Sequence, residues 1–179
     1  MNYLYNNFLT PVEVDKIHDT IFNINFPFFY AHENTVSKSD LSKEHKNFNN
    51  LLDYYQVCHV FYSEYSKYSY IPNEIINRLN LPNKILRAKV NLQSQNKNAT
   101  TETFNCPHRD MDEPHLAGIY YVNDSDGFTF LFDNDNNIIN KIMPKKGSLL
   151  VFDGSLKHAS GHPTKCLKRC VINFNLSKC

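Results

Sequence analysis

Apolar residues recur with a helical period near the start of the chain and with a period of two over its second half. Val14, Ile17 and Ile21, flanked by Val12 and Phe22, form one stripe of helical spacing, which predicts a helix over about 11–22. Thr10-Pro11-Val12-Glu13 supplies its start: the Thr10 oxygen can accept a backbone N–H, Glu13 can reach back, and Pro11 suits the first helical position. The run Phe26-Pro27-Phe28-Phe29-Tyr30 is aromatic but interrupted by proline, so it reads as an edge strand. The polar stretch from Asn34 to Asn50 reads as a loop or weak helix. Segments at about 51–65 and 71–80 mix apolar and polar residues without clean alternation, and Pro72 suits a helix start in the second.

From about residue 85 short runs rich in β-branched and aromatic residues follow one another every ten or so positions. They predict strands at about 85–93, 104–110, 116–123, 127–132, 137–143, 147–153, 156–160 and 167–176. The intervening turns are Asn123-Asp124-Ser125-Asp126-Gly127, Asp133-Asn134-Asp135-Asn136-Asn137 and Pro144-Lys145-Lys146-Gly147, residue types that hold tight backbone conformations. Eight short strands without helices between them suggest a jelly-roll or double-stranded β-helix, two facing sheets with an open mouth. The fold class expected is α+β, mainly β. One domain accommodates the 179 residues, with 1–84 as a helical or mixed support region and 85–176 as the jelly-roll core.

Composition narrows the function more than the fold. Thirteen Phe and eleven Tyr with only five Gly suit packed strands and argue against disorder. Nineteen Lys and Arg against eighteen Asp and Glu give no global field toward nucleic acid or an anionic membrane, so a nucleic-acid partner is not favoured. Lys141, Lys145, Lys146, Lys157, Lys165 and Lys168 read as a solvated surface. The N-terminus has no secretory pattern, and no stretch approaches the roughly 18 apolar residues of a membrane span. The expectation is a cytoplasmic protein, in the host cytoplasm if viral, with no membrane association. Five cysteines without a C-x-x-C pair argue against both a disulfide framework and a zinc ribbon.

The chemistry lies in His108-Arg109-Asp110. On a strand, residues i and i+2 share a face about 6.5–7 Å apart, so this imidazole and carboxylate can converge on one cation. His158, just past the hydrophobic run Leu149–Phe152, supplies a third ligand. Two imidazoles and one carboxylate leave half an octahedron open, the arrangement of non-haem Fe(II) oxygenases. Arg169 follows on the last predicted strand. Alternation puts it on one face with Val171, Asn173 and Asn175, opposite Cys170, Ile172, Phe174 and Leu176. A guanidinium turned inward needs an anion. A dicarboxylate that chelates the metal at one end and pairs with Arg169 at the other satisfies both groups.

Several rivals compete for these roles. His162 is the main one for His158, but next to Pro163 it falls in a turn. His115 reads as a solvated loop residue, and Asp112 and Glu113 sit off the i, i+2 geometry from His108. Cys106 shares the face of His108 and Asp110, so a zinc site of Cys106, His108, Asp110 and His158 is an alternative, as is a non-catalytic jelly-roll metal-binding module. Asn91 and Gln93 stand where they can line the pocket. Tyr120 reads as ordinary strand packing.

These residues, in this order, resemble the Fe(II)/2-oxoglutarate-dependent oxygenases, and within them the prolyl 4-hydroxylase-like group with its short phage and bacterial members. The resemblance extends to Asn7-Phe8-Leu9-Thr10, Ile119-Tyr120-Tyr121-Val122-Asn123, Gly127-Phe128-Thr129, His158-Ala159-Ser160-Gly161 and Arg169-Cys170-Val171-Ile172-Asn173-Phe174. It implies Fe(II) held by His108, Asp110 and His158. It also implies 2-oxoglutarate paired with Arg169 and hydrogen-bonded by Tyr121, with Thr129 at the cosubstrate site. Where the group often has a double Gly before its Thr, this chain has Asp126-Gly127-Phe128. The implied reaction consumes O2 and 2-oxoglutarate, releases succinate and CO2, and hydroxylates a C–H bond, with ascorbate as an accessory reductant. The substrate class expected first is a peptide or protein side chain, prolyl or another, with a small molecule or a nucleobase behind it.

Overall fold

A computed structural model describes residues 2–30, 50–52, 54–61, 66–79 and 84–178. The element order is β1 (Tyr3–Tyr5), α1 (Pro11–Ile21), β2 (Phe29–Tyr30), β3 (Val57–Val60), α2 (Tyr70–Arg78), β4 (Ile85–Ser94), β5 (His115–Tyr121), β6 (Thr129–Phe132), β7 (Ile138–Ile142), β8 (Leu149–Asp153), β9 (Lys157–Ser160) and β10 (Lys168–Ser177). The strands form a seven-stranded sheet in the order β1-β8-β5-β10-β4-β3-β2 and a three-stranded sheet in the order β7-β6-β9, with every pairing antiparallel. This is the two-sheet jelly-roll expected from the strand spacing, supported by helices from the N-terminal half.

The N-terminal helix forms as its capping signal dictates. Thr10 Oγ1 accepts from the Glu13 amide at 3.3 Å while Glu13 Oε2 accepts from the Thr10 amide at 2.8 Å, with Pro11 in the first turn. Two of the three amide N–H groups left open at this helix start are thereby engaged, Pro11 having none to satisfy. Ile17 and Ile21 of α1 and Ile71, Ile75 and Ile76 of α2 are buried against one face of the large sheet, where Tyr120, Val151, Ile172 and Phe174 meet them. Glu13 also pairs with Arg78, and Lys16 with Glu74 at 3.3 Å, which ties the two helices together.

The other face of the large sheet looks into the barrel. There Ala117, Ile119, Tyr121, Leu150, Phe152 and Val171 pack against Leu131 of the small sheet. Strict alternation on β10 decides which side chains go in. Cys170, Ile172, Phe174 and Leu176 belong to the helix-covered core, and Arg169, Val171, Asn173 and Asn175 are left on the inner face. The register then lays out polar rows across that face: Arg169 opposite Gln93, Val171 opposite Asn91, Asn173 opposite Lys89 and Asn175 opposite Arg87.

The structure changes three local expectations. Residues 104–110 are no strand but take part in three isolated bridges, Phe104 to Leu51 (parallel) and to Gly161 (antiparallel) and His108 to His158 (antiparallel), with Pro107 between them. Proline has no amide to give a ladder, and that interrupts the pairing. The aromatic run 26–30 pairs only over Phe29–Tyr30. His115 is buried as the first residue of β5, not solvated in a loop, with its Nδ1 within 2.8 Å of the Glu113 carbonyl. The segments at 51–65 and 71–80 contribute β3 and α2, while the loop or weak helix expected at 34–50 falls almost wholly outside the described residues. Among the described residues no helix is long and apolar enough to cross a membrane.

Candidate metal centre

His108 and His158 are neighbours because their backbones pair. The His108 amide donates to the His158 carbonyl at 3.0 Å and the His158 amide to the His108 carbonyl at 2.9 Å. Their rings lie 4.5 Å apart between centroids. The chain bends at Asp110 so that its carboxylate faces both rings, Oδ1 3.7 Å from His108 Nε2 and Oδ2 3.6 Å from His158 Nε2. The three ligand atoms lie within 4.8 Å of one another, the one such group among the described residues. These separations are too long for hydrogen bonds. The three groups surround a point that none of them occupies.

The surroundings prepare these atoms for a cation. His108 Nδ1 donates to the Cys106 carbonyl at 3.1 Å, a tautomer assigned from that partner, which turns the Nε2 lone pair inward. His158 is packed under the Phe152 ring. Burial, with the charge of His108, lowers its pKa to about 4, Asp110 opposing. Burial opposes ionisation of Asp110, yet His108, His158 and Asn175 outweigh it and hold the carboxyl well below the usual carboxylate range. Asn173 Nδ2 donates to both Asp110 oxygens at 3.3 and 3.2 Å, and Asn175 Nδ2 to Oδ2 at 3.0 Å. A neutral His158 imidazole and an ionised, oriented carboxylate suit a divalent metal.

Arg169 lies in the same cavity, which has a volume of about 160 Å³. It is 3% exposed. Its donors go to neutral acceptors: Nε to the Gly127 carbonyl at 2.8 Å, Nη1 to Gln93 Oε1 at 3.3 Å and Nη2 to Thr129 Oγ1 at 2.9 Å. No carboxylate among the described residues bonds to it. Tyr121 is equally buried, its phenol pushed up to about 12 by burial, and it donates to the same Thr129 oxygen at 2.9 Å. A buried cation with only neutral partners fits an incoming carboxylate. Gly127 is demanded by close approach, since a Cβ there would lie 2.9 Å from Arg169 Cδ and from the Gly161 carbonyl.

The structure thus brings together His108, Asp110 and His158, and around Arg169 it gathers Tyr121, Thr129 and Gln93. It excludes the rivals. His162 is turned away, with Nε2 bonded to the Leu52 carbonyl at 2.7 Å. Asp112 and Glu113 are exposed beyond the bend. Cys106 is buried but contributes its carbonyl to His108, and its sulfur is not in the ligand group, so the four-ligand zinc set does not assemble. Asn91 lines the cavity. Tyr120 packs in the helix-side core as expected. The lysines of the C-terminal third disperse to separate partners: Lys141 to Glu102, Lys146 to Asp15 and Lys157 to Asn136.

Sequence reasoning assigned no role to Asn173 and Asn175, although alternation from Arg169 had placed both on the inner face. The same alternation on β4 would have put Arg87 and Lys89 beside them.

No protein-family model matches this sequence, and no curated protein matches it. Solved structures do. A prolyl hydroxylase from Trichoplax adhaerens, in complex with a hypoxia inducible factor oxygen degradation domain peptide fragment, superposes with a TM-score of 0.63 at 17% identity, over 97% of this chain and 82% of that one. A Burkholderia pseudomallei oxidoreductase of the 2OG-Fe(II) oxygenase family gives 0.69 at 10% identity over 98% and 84%. A Pseudomonas putida prolyl-4-hydroxylase gives 0.61 at 13% identity over 99% and 92%. At these identities the likeness establishes the fold, the double-stranded β-helix of those oxygenases.

Proposed function

We propose that the chain is a non-haem Fe(II)- and 2-oxoglutarate-dependent dioxygenase that hydroxylates a C–H bond of a peptidyl substrate, prolyl first among the candidates. One observation carries this reading: a convergent His108, Asp110, His158 triad and a buried guanidinium with no carboxylate partner among the described residues line a single cavity on the oxygenase fold. The residues present fit both absent groups.

In this reading His108 Nε2, His158 Nε2 and one Asp110 oxygen hold the iron, and the two asparagine amides fix the carboxylate that would otherwise rotate. Arg169, with Thr129 and Tyr121 beside it, would hold the distal carboxylate of 2-oxoglutarate. The iron and cosubstrate, when bound, supply O2 activation, with succinate and CO2 as coproducts. The protein's part is positioning and exclusion of water: Ile119, Ala159 and Val171 provide apolar walls.

The test is anaerobic addition of Fe(II) and then 2-oxoglutarate to the protein. A visible metal-to-ligand charge-transfer band is expected, and its absence in wild type sinks the assignment. Succinate formation under O2, stimulated by peptide pools above the level without substrate, tests the peptidyl part.

A further inference from the structure

The inner face of β4 carries an uncommon row, Arg87, Lys89 and Asn91, one strand away from the residues that hold Asp110. Arg87 lies opposite Asn175, Lys89 opposite Asn173 and Asn91 opposite Val171. All three line the cavity. Neither the Arg87 nor the Lys89 side chain makes a hydrogen bond or ion pair within the described residues, although both are only half exposed. Asp110 is no partner for them, because its oxygens are taken by the asparagines and faced by the imidazoles. Two cations on alternate positions of one strand repel each other. Burial and Arg87 push Lys89 below its ordinary value, with only Cys58 and Asp110 opposing. A folded chain keeps such a pair at a cost unless something anionic arrives.

Asn91 says what else arrives. It is nine-tenths buried, and its Oδ1 is a buried acceptor without a partner. Its amide makes no hydrogen bond among the described residues. A primary amide offers one acceptor and two donors side by side, the complement of a peptide group's N–H and C=O. A phosphodiester backbone presents no such donor.

Resting on the oxygenase reading above, we infer that the substrate is an acidic peptide. A Glu or Asp carboxylate flanking the hydroxylated residue sits between Arg87 and Lys89, and the peptide backbone at that residue bonds Asn91. Net charge near zero is compatible with this, since the selecting charges are local to the mouth.

The experiment measures anisotropy of labelled peptides on the full chain loaded with Mn(II) and 2-oxoglutarate, which bind without turnover. The probes are a proline-centred peptide flanked by glutamates, the same peptide with glutamine and with lysine in their place, and single-stranded oligothymidylate. The glutamate peptide is expected to bind about tenfold more tightly than the glutamine form, as two half-buried ion pairs would give, and the lysine form most weakly. Combined R87Q and K89Q removes the ranking, and R87E with K89E inverts it; the neutral pair guards against misfolding of the reversed one, with thermal unfolding recorded for both. Asn91→Leu weakens all three peptides while keeping their order. Equal binding of the three peptides, or a ranking that survives R87Q with K89Q, overturns the inference. So does tightest binding of the oligonucleotide through the same two side chains. The charge-transfer band of the wild type, read separately, shows whether the oxygenase reading itself has failed.

Discussion

His108 and His158 exchange both of their backbone hydrogen bonds, at 3.0 and 2.9 Å, in a bridge of a single residue pair. The two imidazoles are therefore held side by side by main chain, and their mutual placement does not depend on a continuous strand around His108. Replacing either side chain by alanine leaves this bridge intact. His108→Ala, Asp110→Ala and His158→Ala are each expected to keep the wild-type far-ultraviolet circular dichroism and lose at least about 100-fold in Mn(II) affinity by calorimetry. Undiminished Mn(II) binding in any one of them removes that residue from the site.

Asn173 and Asn175 act one step back, through Asp110. Removing the Asn175 donor leaves a buried carboxylate oxygen short of a hydrogen bond and free to turn. Asn175→Leu should lower Mn(II) affinity by about 10- to 100-fold while Asn175→Gln restores part of it. A purely structural role would lower the unfolding midpoint without this recovery of metal affinity.

Around Arg169 the deciding atom is Thr129 Oγ1, which receives both the guanidinium and the Tyr121 phenol. Thr129→Val keeps the shape and removes the acceptor, so two buried donors lose their partner. The expected loss of 2-oxoglutarate affinity is about 10- to 100-fold, with more for Arg169→Gln, where the charge-assisted pair is gone. Metal affinity without 2-oxoglutarate should stay near wild type, so titrations with and without cosubstrate separate the two sites.

How much of this was readable from residue order follows from what each feature depends on. Thr10, Pro11 and Glu13 specify a helix start through contacts three residues apart, and the capping box formed as written. Alternation on β10 fixed the inward side chains, because a strand with one covered face tolerates no slip. The triad was legible by residue type, but the i, i+2 strand geometry used to justify it was not the device. Pro107 prevents a strand there, and a long-range bridge to His158 does the work. Such a bridge lies between residues fifty positions apart and leaves no local periodicity. His115 was misread for a similar reason. Its burial comes from Gly154, whose missing side chain makes room for the ring, and that contact is invisible from the neighbours Pro114 and Leu116. Arg87 and Lys89 leave no mark on the net charge of the chain, because the pair matters only by its place on one strand face.

The protonation state of His158 gives a pH dependence with a definite sign. Burial and His108 lower its pKa from 6.5 to about 4 in the folded protein, whereas the unfolded chain titrates near the ordinary value. Between those values the unfolded state binds the extra proton, so unfolding free energy rises with pH. This contribution is fully present above about pH 6.5 and lost as pH falls toward 4, a change on the order of 3 kcal/mol. Asp110, also held low in the fold, adds loss in the same direction below its ordinary range. His59, lowered by burial as well, slopes the same way, so the diagnostic quantity is a difference between proteins. Urea unfolding in chelator should show wild type losing stability from pH 7 to 4.5 more steeply than His158→Gln. Parallel curves for the two proteins would mean that His158 is not held neutral in the fold, and the argument that the site stands ready for a metal at acidic pH would go with it.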